Sequence, residues 1–126
     1  MSIVGLGTDI VEINRFDMPD EQRERLAKRV LTESELAIYR QHKQPVRYLA
    51  KRFAAKEAVV KAAGLGIGNG ISFQHAEISN LPSGAPQLMV SGALQAWCEK
   101  QGVSSIHLSL SDEQHYAVAT VILERG

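Results

Sequence analysis

The segment 45–63 has the hydrophobic pattern of a long amphipathic helix, and it constrains the fold more than any other part of the sequence. Pro45 suits the first turn of a helix, and Gly64 suits the position just after its end. At about 100° per residue, one face of this helix collects the apolar side chains Val46, Leu49, Ala50, Phe53 and Val60. This stripe predicts a helix that packs against a core along its length.

Two charged side chains fall within or beside this apolar stripe. At about 100° per residue, Glu57 lies about 20° and Lys61 about 60° from Val46. The side chains expected outside the stripe are Arg47, Tyr48, Lys51, Arg52 and Lys56. A buried carboxylate is costly unless it is paired or bound to a metal. The helix alone favours an ordinary pair between Glu57 and Lys61, which are four residues apart.

A second carboxylate lies in an apolar setting near the N-terminus. The segment 3–13 is β-branched and apolar, and it predicts a strand loosened by Gly5 and Gly7. Alternation along a strand places Asp9 on one side with Ile3, Val11 and Ile13. Asp9 and Glu57 would repel each other unless a cation lies between them. Mg²⁺ suits that place, because it takes one or two carboxylates and completes its shell with waters and phosphates. The alternative is that Asp9 braces a turn at the glycines.

The remaining elements predict an α+β fold with an antiparallel sheet packed against helices, in a single domain over residues 1–126. The pattern Thr-Glu-Ser-Glu at 32–35 has the form of a capping box before a short helix. The other predicted helices are 20–30 and 91–101, and the other predicted strands are 71–79, 86–90, 105–111 and 115–124. Helices thus cluster in the first half of the chain and strands in the second.

The charge distribution indicates a basic face. The chain has 14 basic and 14 acidic residues, but the segment 15–61 holds twelve of the basic and seven of the acidic ones, a net charge of +5. Such asymmetry favours an acidic partner or a phosphorylated ligand, although a solvated helix surface would also explain it. Cys98 is the only cysteine, so no disulfide within the chain is expected. Without a signal-peptide pattern or a long apolar run, the expected location is the cytoplasm.

Two further features are weak signals by themselves. The loop GLGIGNG at 64–70 is rich in glycine, but it matches neither the dinucleotide-binding nor the Walker A pattern. His107 alternates with Ser105 and Ser109 on a predicted strand, which is also typical of a solvent-facing strand. The sequence shows no zinc-ligand spacing and no nucleophile elbow.

Three segments carry motifs that gain specificity in combination. They are GLGTDIVEINR at 5–15, RFAAKEAVVKAAGLGIG at 52–68 and HLSLSDEQHYAVATVI at 107–122. The motif G-x-G-x-D followed by F-x-x-K-E-x-x-x-K within about 120 residues is a specific pair. With these motifs the chain resembles the holo-[acyl-carrier-protein] synthases, the short, single-domain type of 4′-phosphopantetheinyl transferase.

The resemblance implies a reaction and its partners. Coenzyme A donates phosphopantetheine to a serine of apo acyl carrier protein in fatty acid biosynthesis, and adenosine 3′,5′-bisphosphate is released. The resemblance also implies Mg²⁺ as cofactor and a homotrimer with active sites at subunit interfaces, and it includes neither nucleic acid nor a membrane as partner. The proton acceptor for the serine is left open between a water on the metal and a carboxylate such as Glu57.

The resemblance also implies roles for individual residues. Asp9 and Glu57 match the Mg²⁺ ligands, and Glu57 and Lys61 are the implied catalytic residues, with Lys61 near the transferred phosphate. The implied coenzyme A contacts are Arg52, Lys61, Gly64, Gly66 and His107. The implied contacts with the acidic carrier protein are Arg15, Arg23, Arg25 and Arg29.

Two other functions use some of the same features. A metal-dependent phosphoesterase or nuclease would need the same carboxylates and basic face, and a nuclease would bind nucleic acid with a steep salt dependence. A non-catalytic adaptor would use the basic helices to bind an acidic protein, and it would need neither Asp9 nor Glu57 in an apolar setting. Titration of a divalent metal against binding and turnover separates these functions.

Overall fold

A computed structural model describes residues 1–126 and contains five strands and four α-helices. The strands are β1 (Ser2–Glu12), β2 (Ala76–Asn80), β3 (Pro86–Val90), β4 (Val103–Asp112) and β5 (Tyr116–Arg125). The helices are α1 (Asp20–Val30), α2 (Glu33–Gln41), α3 (Pro45–Ala62) and α4 (Gly92–Lys100). Short 3₁₀ helices cover Ile13–Phe16 and Phe73–His75. No helix is both long enough and apolar enough to cross a membrane.

The strands form two antiparallel sheets, where the sequence predicted one. The larger sheet has the order β1-β5-β4, and the smaller one pairs β2 with β3. The α+β class with antiparallel pairing is therefore confirmed, and the capping box before α2 forms as predicted. The predicted strand 71–79 is wrong in its first part. There, Ser72 caps the second 3₁₀ helix by accepting a hydrogen bond from the backbone of Gln74, and β2 begins only at Ala76.

Helix α3 lies across the inner face of the larger sheet and is buried on more than one side. It contacts β1 and β5 on one side and α1, α2 and β2 on the other. The prediction of a single apolar stripe is therefore wrong for three side chains that it placed outside. Tyr48, Arg52 and Lys56 are all buried, because the smaller helices and β2 cover the second side of α3.

The approach of β1 to α3 is close because two glycines face the helix. A Cβ atom at Gly5 would lie 1.8 Å from the carbonyl oxygen of Ala62, and one at Gly7 would lie 2.1 Å from that of Ala58. A β-bulge between Ile3 and Gly5 shifts the register of β1 against β5. Ile3 is consequently 66% exposed, so its predicted place on the side of Asp9 is wrong.

We expect Gly7→Ala to destabilise the protein strongly. The added methyl group would collide with backbone atoms of α3, which can move only if the helix separates from β1. Overpacking of a core typically costs about 1–3 kcal/mol, and a backbone collision belongs at or above the upper end. Gly66→Ala is the matched control, because nothing lies within 4 Å of the added Cβ. Chemical denaturation of both variants measures the difference, and equal free energies of unfolding would contradict the close contact.

Candidate active site

The close contact of β1 with α3 brings together the three charged side chains that the sequence singled out. Lys61 Nζ donates a hydrogen bond to Asp9 Oδ1 at 2.8 Å and another to the carbonyl oxygen of Thr8 at 3.3 Å. The Glu57–Lys61 pair favoured by the helix pattern is therefore wrong, since Lys61 reaches across to the strand instead. We call Asp9, Glu57 and Lys61 the acidic cluster, because its two carboxylates outnumber its one ammonium group.

The two carboxylates of the acidic cluster keep unused oxygen atoms. The Asp9 side chain is only 12% exposed, and its buried Oδ2 has no hydrogen-bond partner. Partial burial raises the pKa of Glu57 above its ordinary value of 4.5, and the negative charge of Asp9 adds to this rise while Lys61 offsets part of it. Excess negative charge thus remains between β1 and α3.

These donors fit a hard divalent cation. Buried carboxylate oxygens without a partner are costly, and a cation between them would remove both the cost and the repulsion. The structure has no group of three or more metal-ligating side chains, so the protein alone offers an incomplete coordination shell. Two carboxylates that leave the other coordination positions open suit Mg²⁺, which completes its shell with waters and substrate phosphates.

A second charged site lies between α2, α3 and the β2–β3 hairpin, and of its lining residues only Arg52 was among the predicted ligand contacts. This basic pocket has a volume of about 380 Å³, and its lining includes His42, Arg47, Tyr48, Lys51, Arg52 and Asn80. Arg52 is 7% exposed, stacks on the Tyr48 ring at 4.6 Å and donates weakly to Asn80 Oδ1 at 3.4 Å. The Arg52 Nε and the Tyr48 hydroxyl have no partner. Arg47 and Lys51 are paired with Asp112, at 2.7 and 3.2 Å. The unsatisfied donors of Arg52 and Tyr48 suit an anionic ligand.

Within one chain, the basic pocket and the acidic cluster lie on opposite sides of α3. At about 100° per residue, Arg52 is rotated about 140° from Glu57 and about 180° from Lys61. Sequence spacing alone could not find the pocket, because the β2–β3 hairpin that closes it is distant in the chain.

The other predicted ligand contacts lie on exposed parts of the structure. His107 projects from the outer face of β4, and its Nε2 lies 3.0 Å from Glu124 Oε1 on β5. Gly64 ends α3 with a positive φ of 72°, which permits the backbone to turn into the glycine-rich loop. Gly66 follows in this loop, and nothing lies within 4 Å of the position that a Cβ atom would take there.

The four predicted carrier-protein contacts differ in exposure. Arg15, Arg25 and Arg29 are exposed, and Arg25 pairs with Glu21 on the same helix at 3.4 Å. Arg23 is mostly covered, since its Nε donates to the Tyr39 hydroxyl at 2.9 Å. The exposed three leave a basic surface around α1, whereas Arg23 chiefly links α1 to α2.

Comparisons with known proteins agree on one family. The model of the 4′-phosphopantetheinyl transferase superfamily matches residues 5–121. The chain is 60% identical over 124 residues to a holo-[acyl-carrier-protein] synthase of Pseudoalteromonas atlantica, covering 98% of each chain. Among solved structures, it resembles that of the holo-[acyl-carrier-protein] synthase from Neisseria meningitidis, with a TM-score of 0.90, 42% identity and coverage of 98% and 100% of the two chains.

A further solved structure that resembles the chain contains a ligand. It is a holo-(acyl-carrier-protein) synthase from Bacillus anthracis in complex with coenzyme A (3′,5′-ADP). The identity is 37%, the TM-score is 0.82, and the match covers 98% of both chains.

Proposed function

The chain belongs to the 4′-phosphopantetheinyl transferase superfamily, and we propose that it transfers 4′-phosphopantetheine from coenzyme A to a serine of apo acyl carrier protein. The products are holo acyl carrier protein and adenosine 3′,5′-bisphosphate. The observation that carries this proposal is the acidic cluster, in a chain that matches the family over residues 5–121. We further propose that the reaction takes place in the cytoplasm and serves fatty acid biosynthesis.

Asp9 and Glu57 would hold Mg²⁺ through Asp9 Oδ2 and the Glu57 carboxylate. A cation bound there would supply positive charge that stabilises the phosphate oxygens of the substrate. Asp9 is held in place by its hydrogen bond from Lys61, and its second oxygen keeps no hydrogen-bond partner within the chain. Glu57 is held by the rigid helix α3, which is packed on β1.

Lys61 supplies a fixed cation next to the same site. Its hydrogen bond to Asp9 raises its pKa above the usual 10.5, so the ammonium is charged at neutral pH. Half of the side chain is exposed, which leaves the ammonium accessible to an incoming phosphate. Phosphoryl transfer depends mainly on positioning and on such electrostatic stabilisation. Lys61 can therefore bind the phosphate that is transferred.

The basic pocket suits the phosphorylated nucleotide end of coenzyme A. Arg52 supplies a cation that forms no ion pair within the chain, and Arg47 and Lys51 add cations that pair with Asp112. The ring of Tyr48 and the hairpin supply apolar surface. Because the pocket and the acidic cluster lie on opposite sides of α3, we propose that one coenzyme A spans two subunits. The outer face of the larger sheet offers an interface, since it exposes the apolar side chains of Leu6, Ile10 and Tyr116.

The proposed assembly is a homotrimer, and mixing of inactive variants tests the shared site. Glu57→Gln and Arg52→Ala should each abolish activity alone. Refolding the two together should restore activity, because mixed trimers contain sites with intact Glu57 from one subunit and intact Arg52 from the next. Glu57→Gln mixed with Asp9→Asn is the matched control and should stay inactive, since both residues belong to one cluster.

Light scattering should give three times the chain mass of 13.8 kDa. A monomer, or equal gains in both mixtures, would contradict the shared site.

The basic surface around α1 should control affinity for the carrier protein. We expect Arg15→Glu or Arg25→Glu to raise the KM for the carrier protein and to weaken its salt dependence, because exposed charges act mainly through encounter and orientation. Affinity for coenzyme A should barely change. Lys100→Glu, the same charge reversal on the distant α4, should change neither value. Calorimetry with each partner separates the outcomes, and a selective loss of coenzyme A binding would reassign this surface to the nucleotide.

One experiment tests the proposed function itself. Apo acyl carrier protein is incubated with coenzyme A, Mg²⁺ and the protein, and its mass is measured. We expect a gain of one phosphopantetheine group that depends on all three additions. A carrier protein that is modified by another transferase but unchanged by this one would overturn the proposal.

A further inference from the structure

The second buried side of α3 holds an ion pair that the proposed reaction does not use. The side chain of Lys56 is 0% exposed and that of Glu35 is 1% exposed, and Lys56 Nζ lies 2.6 Å from Glu35 Oε1. The pair lies on the side of α3 that faces α1, α2 and β2, away from the larger sheet. Neither group can contact a ligand from solvent.

Every hydrogen-bonding position of the lysine is used, and each joins a different element. Lys56 Nζ donates to Glu35 on α2, to the carbonyl oxygen of Val30 at the end of α1 at 2.8 Å, and to that of Phe73 in the second 3₁₀ helix at 3.2 Å. Glu35 also accepts hydrogen bonds from the backbone amides of Thr32 and Ile78. One ammonium group thus ties three segments to α3.

Stability alone does not explain such a pair. Burial of two charges costs more free energy than their attraction returns in many proteins, and apolar replacements of similar volume are often neutral or stabilising. In keeping with this cost, burial lowers the pKa of Lys56 below 10.5, and Glu35 counteracts only part of the shift. An apolar pair could fill the same space, but it could not hold the carbonyl groups of Val30 and Phe73. What the charges add is directional attachment.

The attached segments border the proposed active site. The segment 63–72, which contains the glycine-rich loop, leaves the end of α3 and rejoins the core at Phe73, so Lys56 fixes its far end to the same helix that carries Glu57. The carbonyl of Val30 closes α1, the helix that carries the proposed carrier-binding surface. A second tie joins these two segments, because the Gln74 side chain donates to the carbonyl oxygen of Lys28.

We propose that Lys56 is a positioning residue that holds the glycine-rich loop and the end of α1 in register with Glu57, and that Glu35 serves to keep its charge in place. This inference rests on the proposed function for its effect on turnover. Its structural part concerns the order of the segment 63–75 and of the end of α1, and it can be tested without any substrate.

Two variants separate positioning from stability. Glu35→Gln leaves the Lys56 charge without its partner but keeps both of its carbonyl contacts. Lys56→Met combined with Glu35→Gln removes both charges and also removes the carbonyl contacts, at nearly constant volume. We therefore expect the melting temperature to fall in the single variant and to recover only in part in the double variant, because no uncompensated charge remains but the carbonyl groups of Val30 and Phe73 lose their donor.

Hydrogen exchange and kinetics should change more in the double variant than in Glu35→Gln, which is the reverse of the order expected for the loss of melting temperature. In the double variant we expect faster exchange over residues 63–75 and at the end of α1, and a higher KM for coenzyme A. We expect kcat/KM to fall by as much as ~100-fold, because small displacements far from the chemistry can have that effect. Exchange in β1, β4 and β5 should stay as in the wild type. Glu35→Gln should keep a nearly normal KM despite its lower melting temperature. Lys100→Met on the exposed end of α4 is the control for the lysine-to-methionine change.

Each outcome decides the proposal. If the double variant shows wild-type exchange over 63–75, or does not fold cooperatively, the pair is not a positioning device and the proposal is overturned. Faster exchange confined to 63–75 and the end of α1 supports the attachment even if the protein transfers nothing. Loss of the proposed function would appear separately, as absence of turnover in the wild type.

Discussion

Replacing Glu57 with glutamine, or Asp9 with asparagine, should reduce phosphopantetheine transfer by on the order of 10³-fold or more, since even one lost electrostatic contact to a transition state typically costs 10²–10³. Each change removes a carboxylate that the geometry leaves free for the cation. The measurement is transfer to apo acyl carrier protein at limiting Mg²⁺. Glu99→Gln, an exposed position on α4, is the matched control and should keep normal activity.

The same Glu57→Gln change should stabilise the protein in the absence of metal. The folded protein raises the pKa of Glu57 above its ordinary value of 4.5, so ionisation of this group at neutral pH opposes folding. The variant should therefore melt above the wild type at pH 7. The difference should close as the pH falls below about 4.5, where Glu57 is protonated in both folded and unfolded states. Saturating Mg²⁺ should raise the melting temperature of the wild type alone. Near-normal turnover of either variant at limiting Mg²⁺ would contradict the metal assignment.

The residues of the acidic cluster could be predicted from the sequence, but the pairing of Lys61 with Asp9 could not. Glu57 stands out because it falls in an apolar stripe, and Asp9 because it follows two glycines in an apolar strand. Whether Lys61 pairs with Glu57 or with Asp9 depends on how closely β1 packs against α3. This distance is determined by the contact of Gly5 and Gly7 with the helix backbone, a tertiary contact that helical periodicity does not describe.

The burial of the second side of α3 was not predicted from the sequence. A charged residue outside the main apolar stripe is usually solvated, so the pattern predicted an exposed Lys56 and an exposed Arg52. Both are buried, because α1, α2 and β2 cover that side with partners that lie 17 to 28 residues away in sequence. The β-bulge after Ile3 was not predicted either, since strict alternation of side chains assumes a regular strand.

Lys61→Met should lower kcat by on the order of 10²–10³, the usual effect of removing one electrostatic contact to a developing charge. Its effect on stability should exceed that of an exposed pair, at about 1–3 kcal/mol, because Asp9 is only 12% exposed and loses the hydrogen bond to its Oδ1. Affinity for coenzyme A should change far less than kcat. Steady-state kinetics, with folding checked by circular dichroism, measures both.

Binding of Mg²⁺ distinguishes the role of Lys61 from that of the carboxylates. Removal of the ammonium takes a positive charge away from Asp9, so Lys61→Met should bind Mg²⁺ as tightly as the wild type or more tightly, whereas Asp9→Asn should bind it less tightly. Lys61→Arg should restore only part of kcat, because a planar guanidinium does not reproduce a compact ammonium charge. A wild-type kcat in Lys61→Met would reduce Lys61 to a structural partner of Asp9. Loss of Mg²⁺ binding in that variant would mean that Lys61 acts by orienting Asp9 for the metal and not on the phosphate.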